Sequence, residues 1–449
     1  MTSAAEQLAA NLNFSSFAKA DELKKRILFT LGALIVYRLG TFIPIPGVDT
    51  AFFTAQFQGQ QGGILGMFNL FAGGAVERMA IFALNIMPYI SASIIMQLMT
   101  AVVPSLEALK KEGEQGRRQI NQYTRYGTVF LAIVQGYGIA VALQQADPST
   151  GATAAINPGL FFTATTVITL VGGVMFLLWL GEQITARGVG NGVSLIIFAG
   201  IIAELPRAVG GLLEQGRVGS VNAGAILAIL AMAILLIAFV VFIERSQRRL
   251  LIQYPRRQVG NRMFGGEKSH LPLKLNTAGV IPPIFASSLL LLPVTFVGFA
   301  GQNAPEWVLT LQTYFSPGQP LYILFYAAGI VFFCFLYTSI QFNPEDTADN
   351  LKKYGGYIQG YRPGPRTADY LDYVLTRLTV IGAAYLTFVC LLPEILRAQY
   401  NAIPVSLGGT SLLIVVTVTM DTVAQVQGHL LAQQYESLIK KSKLRGSRR

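Results

Sequence analysis

Charge is what this 449-residue chain has least of: 13% of its residues are Asp, Glu, Lys or Arg, about half the roughly 25% of an ordinary soluble protein. Over the same length 52% are hydrophobic and the mean hydropathy is +0.50. One or two water-soluble domains of this size have too little interior to hide so much apolar surface, and intrinsic disorder requires the opposite balance. Cysteine and histidine are nearly absent. Cys334 and Cys390 stand in apolar runs without a second cysteine at a useful spacing, which argues against a disulfide framework or a metal knuckle. His270 and His429 have no partner at metal-ligand spacing. No phosphate-binding G-x-x-x-x-G-K-[ST] loop, G-x-S-x-G elbow or H-E-x-x-H pair occurs, so no enzyme, no cofactor and no metal are expected. Gly188-Val189-Gly190-Asn191-Gly192 has the look of a phosphate cradle, but it follows an apolar helix rather than a strand and reads as a helix start.

What the chain has instead is long stretches without charge. None falls between Arg78 and Glu107, between Arg217 and Glu244, or between Lys274 and Glu306. A bilayer core takes about 20 mostly apolar residues, and charges inside it are costly. On that basis ten spans are predicted, at about 27–46, 79–104, 126–144, 160–181, 191–211, 223–243, 275–299, 320–342, 378–396 and 409–428. The fold class expected is an all-α integral membrane protein with ten transmembrane helices. Residues 1–26 form a polar segment without the apolar core and small-residue cleavage site of a signal peptide, so the first span is expected to be retained.

The basic residues orient the chain. With residues 1–26 in the cytoplasm, ten crossings put 104–125, 182–190, 244–274, 343–377 and the basic tail 429–449 on the same side, and 29 of the 34 Lys and Arg fall there. The other five are Arg38, Arg78, Arg207, Arg217 and Arg397. Such a bias predicts cytoplasmic amino and carboxyl termini. Arg38 and Asp421 lie within predicted spans, with Glu204 and Arg207 near the outer end of the fifth. Embedded charges of this kind would suit a secondary transporter for a small solute, but pairing with backbone or reaching to an interface fits them as well. Pro88, Gly172-Gly173 and Pro282-Pro283 suit helices that bend and pack closely.

Two further features call for a role. The glycine-bounded apolar stretch 62–74 is too short to cross and would lie re-entrant, interfacial or buried in protein. The cytoplasmic segments 244–274 and 343–377 are longer than most helix connections. The first carries Arg248, Arg249, Arg256 and Arg257, with strand-like alternation at Leu250-Leu251-Ile252-Gln253-Tyr254; the second carries Arg362-Pro363-Gly364-Pro365-Arg366. Basic charge close to the membrane attracts anionic phospholipid. Charge carried outward on a hairpin lies beyond a Debye length and serves a partner such as ribosomal RNA or an acidic motor.

Four stretches together resemble the SecY family, the central subunit of the bacterial protein-conducting channel. They are Ile81-Phe82-Ala83-Leu84-Asn85-Ile86-Met87-Pro88-Tyr89-Ile90-Ser91-Ala92-Ser93-Ile94-Ile95-Met96-Gln97-Leu98, the run Trp179–Gly192, Asn276-Thr277-Ala278-Gly279-Val280-Ile281-Pro282-Pro283-Ile284-Phe285-Ala286-Ser287-Ser288, and Gly408-Gly409-Thr410-Ser411-Leu412-Leu413-Ile414. The resemblance implies two inverted five-helix halves, 27–215 and 220–428, around a central hourglass pore. It implies a pore ring at Ile86, Ile90, Val193, Ile197, Ile284 and Ile414, with Val193 smaller than the isoleucine often found there. It implies a plug at 62–74, including Ile64, Leu65, Met67, Phe68, Leu70 and Phe71. The lateral gate would lie between 79–104 and 275–299 and include Ser91, Gln97, Asn276 and Thr277, with a hydrogen bond between Gln97 and Asn276 positions holding it shut.

The same resemblance implies docking of the SecA ATPase or a ribosome on Arg248, Arg249, Arg256, Arg257, Arg362 and Arg366. Pro365-Arg366 departs from the Glu-Gln often seen there. Small membrane subunits SecE and SecG, signal peptides and nascent chains are the other implied partners, and the bacterial plasma membrane is the implied location.

Overall fold

The computed structural model describes residues 21–58, 64–145, 153–219, 222–254, 257–259, 262–264, 268–300, 314, 318–399 and 408–446. Ten helices in these residues overlap the ten predicted spans: α1 (Asp21–Gly40), α4 (Met87–Val102), α6 (Glu114–Gln144), α7 (Leu160–Arg187), α8 (Gly192–Arg217), α9 (Ala223–Arg245), α10 (Ile281–Ala300), α11 (Pro320–Gln341), α13 (Pro365–Gln399) and α14 (Gly409–Gly446). Among the described residues, seven helices are long and apolar enough to cross a membrane alone. The count is eight if α4 and the following α5 (Pro104–Lys111), bent by 97° to one another, form one span. Shorter helices α2 (Thr50–Gln58), α3 (Ile64–Phe71) and α12 (Pro344–Lys353) complete the helical part.

The second predicted span is helical over only part of its length. Residues 72–86 run through successive turns, and the helix starts at Met87. Gly73 and Gly74 adopt φ of 64° and 80°, and Met79 and Asn85 take the same left-handed region, so a continuous helix is interrupted there. Residues 79–81 lie beside 43–45 at a single antiparallel bridge between Ala80 and Pro44, with the Ile45 N–H donating to Met79 O at 2.9 Å and the Ile81 N–H to Ile43 O at 2.9 Å. Pro88 and Pro282-Pro283 therefore stand in first helical turns, where a missing N–H costs nothing, and they start α4 and α10 rather than bend them. Among the described residues, prolines well inside helices are Pro206 in α8, Pro293 in α10 and Pro393 in α13.

Two compact units divide the chain: Met1–Tyr89, Arg125–Arg207 and Val418–Arg449 form the first, and Ile90–Thr124 with Ala208–Thr417 the second. They interleave along the sequence, whereas the halves implied by the resemblance are consecutive. In the first unit α1 packs against α7, and Tyr37, Phe82, Phe176 and Trp179 form a ladder of rings with centroids 6.2, 5.9 and 5.8 Å apart. Gly173 faces the carbonyl of Ile81 so closely that a Cβ would collide with it.

The Gly188–Gly192 turn is a junction within this unit. The Val189 N–H donates to Thr30 Oγ1, the Gly190 N–H to Gln425 Oε1 and the Gly192 N–H to Thr185 Oγ1, at 3.0, 2.9 and 2.8 Å. Its amides thus fasten helices rather than cradle phosphate.

In the second unit α11 packs against α10 and α13, with an edge-to-face contact of Phe285 and Phe333 at 5.7 Å. The expected hairpin is present. Strand β1 (Gln247–Gln253) pairs antiparallel with β4 (Lys268–Lys274), and β2 (Arg257–Val259) pairs with β3 (Arg262–Phe264) beyond it. Strand β5 (Tyr357–Ile358) from the second long segment adds to the other edge of β1, giving the order β4-β1-β5.

Candidate functional site

Helix α3 is eight residues long, and its exit is tied down group by group. The last carbonyls of a helix lack intrahelical partners. Here Asn85 Nδ2 donates to Phe71 O, Tyr37 OH to Ala72 O at 3.3 Å, and Arg38 Nη1 and Arg78 Nη2 to Gly73 O at 2.6 and 3.0 Å. Both guanidinium groups also stack on Phe42, 4.8 and 4.3 Å from the ring centroid. Arg38 is therefore paired with backbone, one of the two uses its position in a span suggested. Two positive charges at the negative end of α3 add a favourable dipole term. Gly74 is required: beyond its φ of 80°, a Cβ there would run into the Glu204 carboxylate and Arg78.

Glu77 lies at the centre of the next layer. Its carboxylate takes both arms of the Arg207 guanidinium, Nη1 to Oε2 at 2.7 Å and Nη2 to Oε1 at 2.9 Å. Its N–H donates to Asn69 Oδ1 at 2.9 Å, and its carbonyl accepts from Thr54 Oγ1 at 3.1 Å. Arg207 does not simply reach water, as its place near a span end had suggested. Sequence reading passed over Glu77; the one signal available was an acid in the outer segment that also holds Arg78.

Of the implied plug residues, Leu70 and Phe71 are buried. Ile64, Leu65, Met67 and Phe68 belong to α3, with side chains outside those described, and residues 62 and 63 lie outside the described residues.

The six implied ring residues are distributed over both units. In the first, Ile86 is buried at the end of the turns, Ile197 is buried on α8, and half-buried Val193 stands in the first turn of α8. Asn191 Oδ1 caps that turn, accepting from the N–H groups of Val193 and Ser194 at 3.1 and 3.3 Å. In the second, Ile90 on α4 and Ile414 on α14 are buried and Ile284 on α10 is half-buried. The Ile284 carbonyl accepts from Ser287 Oγ at 2.9 Å.

The four gate residues all lie in the second unit, and their hydrogen bonds run elsewhere than between Gln97 and Asn276. Asn276 Nδ2 donates to Glu244 Oε1 at 2.6 Å and to Gly279 O at 3.1 Å, while its Oδ1 accepts from the Gly279 N–H at 3.1 Å. Gln97 Nε2 reaches Ser93 Oγ, one turn back on its own helix, at 3.4 Å. Thr277 Oγ1 meets Thr338 Oγ1 at 3.4 Å, and Ser91 is buried. Buried Glu244, counted from sequence among the loop charges, belongs instead to this polar group, and Tyr385 OH also approaches its Oε1 at 3.5 Å.

The basic residues of the two long segments have a shared base. Leu250, Leu273 and Ile358 from the three-stranded sheet pack with Leu371, Val374, Leu375 and Leu378 of α13. Exposed Arg248 and Arg249 stand on β1, exposed Arg362 precedes α13, and exposed Arg366 is in its first turn. Arg256 lies outside the described residues; Arg257 begins β2, with its side chain outside those described. Cys334 and Cys390 are buried free thiols, and His270 and His429 are exposed. Among the described residues no three His, Cys, Asp or Glu side chains come together as a metal site would require.

The SecY family profile matches residues 80–423. Protein translocase subunit SecY of Escherichia coli (strain K12) is 54% identical over 426 residues, 95% of this chain and 96% of that one. The subunit of the same name from Pseudomonas aeruginosa is 56% identical over 427 residues, 95% of each. Among solved structures, a protein-conducting channel superposes with a TM-score of 0.68 at 18% identity, covering 91% of this chain and 92% of the other. A SecY structure, whose plug domain is described as stabilising the closed state of the translocation channel and maintaining a membrane seal, gives 0.66 at 18% identity with the same coverage. Sec61 in a canine ribosome-channel complex from the endoplasmic reticulum gives 0.64 at 17% identity, again over 91% and 92%.

Proposed function

The chain belongs to the SecY family, and from that membership we propose that it is the channel subunit of a protein translocase, a gated conduit without catalytic activity of its own. It passes unfolded preproteins across the membrane and releases transmembrane segments sideways into lipid. The observation that carries this reading is identity above half with translocase subunits along 95% of the chain.

The physics of the task assigns the parts. A polypeptide in transit carries polar and charged groups that cost several kcal/mol each in hydrocarbon, while ions must be held back. An apolar collar made by Ile86, Ile90, Val193, Ile197, Ile284 and Ile414 fits around an extended chain and dewets when empty. Residues 62–74 act as the plug that closes the resting channel, a role supported by the short length of α3 and the number of groups fixing its exit. The two inverted halves, 27–215 and 220–428, frame the pore. A signal peptide or nascent membrane helix leaves between the segments 79–104 and 275–299, since its apolar stretch is more stable in lipid than in the conduit.

Motive force comes from outside the chain. SecA or a translating ribosome docks on the basic cytoplasmic face through Arg248, Arg249, Arg256, Arg257, Arg362 and Arg366, and the same charges attract anionic phospholipid. The ribosome is supported by the Sec61 complex among the structural relatives. SecE and SecG complete the assembly in a bacterial plasma membrane, with both termini of the chain cytoplasmic, as the positive-inside rule supports.

The deciding experiment uses vesicles carrying the purified complex, SecA, ATP and a preprotein. ATP-dependent protection of the preprotein from added protease is the expected result. Failure to import it, accompanied by uptake of a small solute, would overturn the reading.

A further inference from the structure

We infer that Glu77, held in place by Arg207, is a keeper that seats the plug through Asn69, and that this contact is the part of the closure that releases first. The inference rests on the proposed plug role of residues 62–74.

Four ties at the exit of α3 (from Tyr37, Arg38, Arg78 and Asn85) grip backbone carbonyls of Phe71, Ala72 and Gly73. They fix the point from which the helix leaves, and they do so irrespective of which side chains α3 carries. Asn69 is different. It is the α3 side chain that bonds Glu77 twice, its Oδ1 accepting from the Glu77 N–H at 2.9 Å and its Nδ2 reaching Glu77 Oε2 at 3.5 Å. Such a contact senses how α3 is rotated and tilted.

Glu77 can serve as a keeper because its own geometry is fixed from three directions. Its carbonyl accepts from Thr54 of α2, its N–H is spent on Asn69, and its carboxylate is forked by Arg207 of α8. A two-pronged guanidinium–carboxylate pair sets both orientation and position. The Glu77 side chain is 5% exposed while that of Arg207 is 54% exposed, so the acid is buried and its partner borders solvent.

The arrangement also makes release inexpensive. A buried carboxylate without a partner is strongly unfavourable. When Asn69 withdraws, however, Glu77 remains paired with Arg207, so unseating α3 breaks two side-chain hydrogen bonds and strands no charge. Arg207 is thus a positioning residue: it keeps the acid oriented while the plug is seated and satisfied while it is away.

The test is ion conductance of the resting complex in planar bilayers. Arg207→Gln is chosen because its side chain is half exposed and the substitution leaves folding to the rest of α8; Glu77→Gln is the second variant. Each is expected to raise resting leak about fivefold, the change associated with one hydrogen bond. Asn69→Ala is expected to leak similarly, and Arg207→Gln added to Asn69→Ala is expected to leak no more than Asn69→Ala alone, a dependence that a merely structural role for Arg207 would not produce. Leaks that multiply in the double variant, or an unchanged leak in Arg207→Gln while removal of residues 64–71 opens the channel, would overturn the keeper and leave the plug. An unchanged leak on removal of 64–71 would overturn the plug reading itself, and the keeper with it.

Discussion

The side-chain amide of Asn276 donates to the carboxylate of Glu244 at 2.6 Å, and both residues are buried. Asn276 precedes α10 and Glu244 closes α9, so a residue matched to the lateral gate is anchored away from Gln97. An amide–carboxylate contact of this kind is charge-assisted, the stronger class of hydrogen bond.

Asn276→Ala is expected to destabilise the purified complex by ~1–3 kcal/mol, because the buried Glu244 carboxylate loses the 2.6 Å hydrogen bond from Asn276. Gln97→Ala, which removes a 3.4 Å bond within its own helix, is expected to stay within ~0.5 kcal/mol of the parent. Thermal unfolding in detergent reads both. Equal losses for the two variants would mean that Gln97 and Asn276 act on one another after all.

How much of this was legible in the sequence depends on the range of the interaction. The apolar helices under the predicted spans were, since hydropathy is summed over about 20 neighbouring residues. The hairpin at Leu250–Tyr254 was, since strand alternation is local. The pairing of β5 with β1 was not: Ile252 and Ile358 are over a hundred positions apart and two residues of strand carry no pattern. Nor was the break before Met87, where an uncharged run concealed turns that place Met79 and Asn85 at left-handed φ. Glu77, Arg207 and Glu244 escaped because a charge looks the same in sequence whether water or a distant partner satisfies it. The ring positions and the plug role were matched by motif, as was Arg362, whereas the other basic loop residues were marked by charge and loop length; composition alone would have left the ring as ordinary apolar residues.

The joined sheet bears on docking. Ile358 is 5% exposed and packs with Leu250, Leu273 and α13, so Ile358→Ala is expected to cost ~2–4 kcal/mol locally. Because β5 and β4 flank the same strand, both long segments should become sensitive to protease together, and SecA-dependent transport should fall. Cleavage confined to residues 343–377 would show that the two segments do not stabilise one another.

The collar makes a prediction of its own. Ile86→Asn or Ile284→Asn places an amide where an apolar side chain is proposed to keep the constriction dry, and polar lining favours water entry. Resting conductance should rise, and preproteins with weakened signal peptides should be exported more readily. Conductance equal to that of the parent in both variants would remove these residues from the seal.

Gly172 and Gly173 are neighbours on α7 with opposite surroundings, which makes them a sensitive test of the packing in the first unit. A Cβ on Gly172 meets nothing within 4 Å, whereas one on Gly173 would strike the carbonyl of Ile81 and then the Phe82 ring. Gly172→Ala should therefore keep or raise stability by up to ~1 kcal/mol through helix propensity alone. Gly173→Ala gains the same term but must push residues 81 and 82 outward, and overpacking of this kind costs ~1–3 kcal/mol or more. The displaced segment is the one that bridges to residues 43–45 and leads into Ile86. Gly173→Ala should accordingly lower the thermal midpoint and raise resting leak together. A midpoint for Gly173→Ala as high as that for Gly172→Ala would mean that α7 and the turns before α4 do not touch as described.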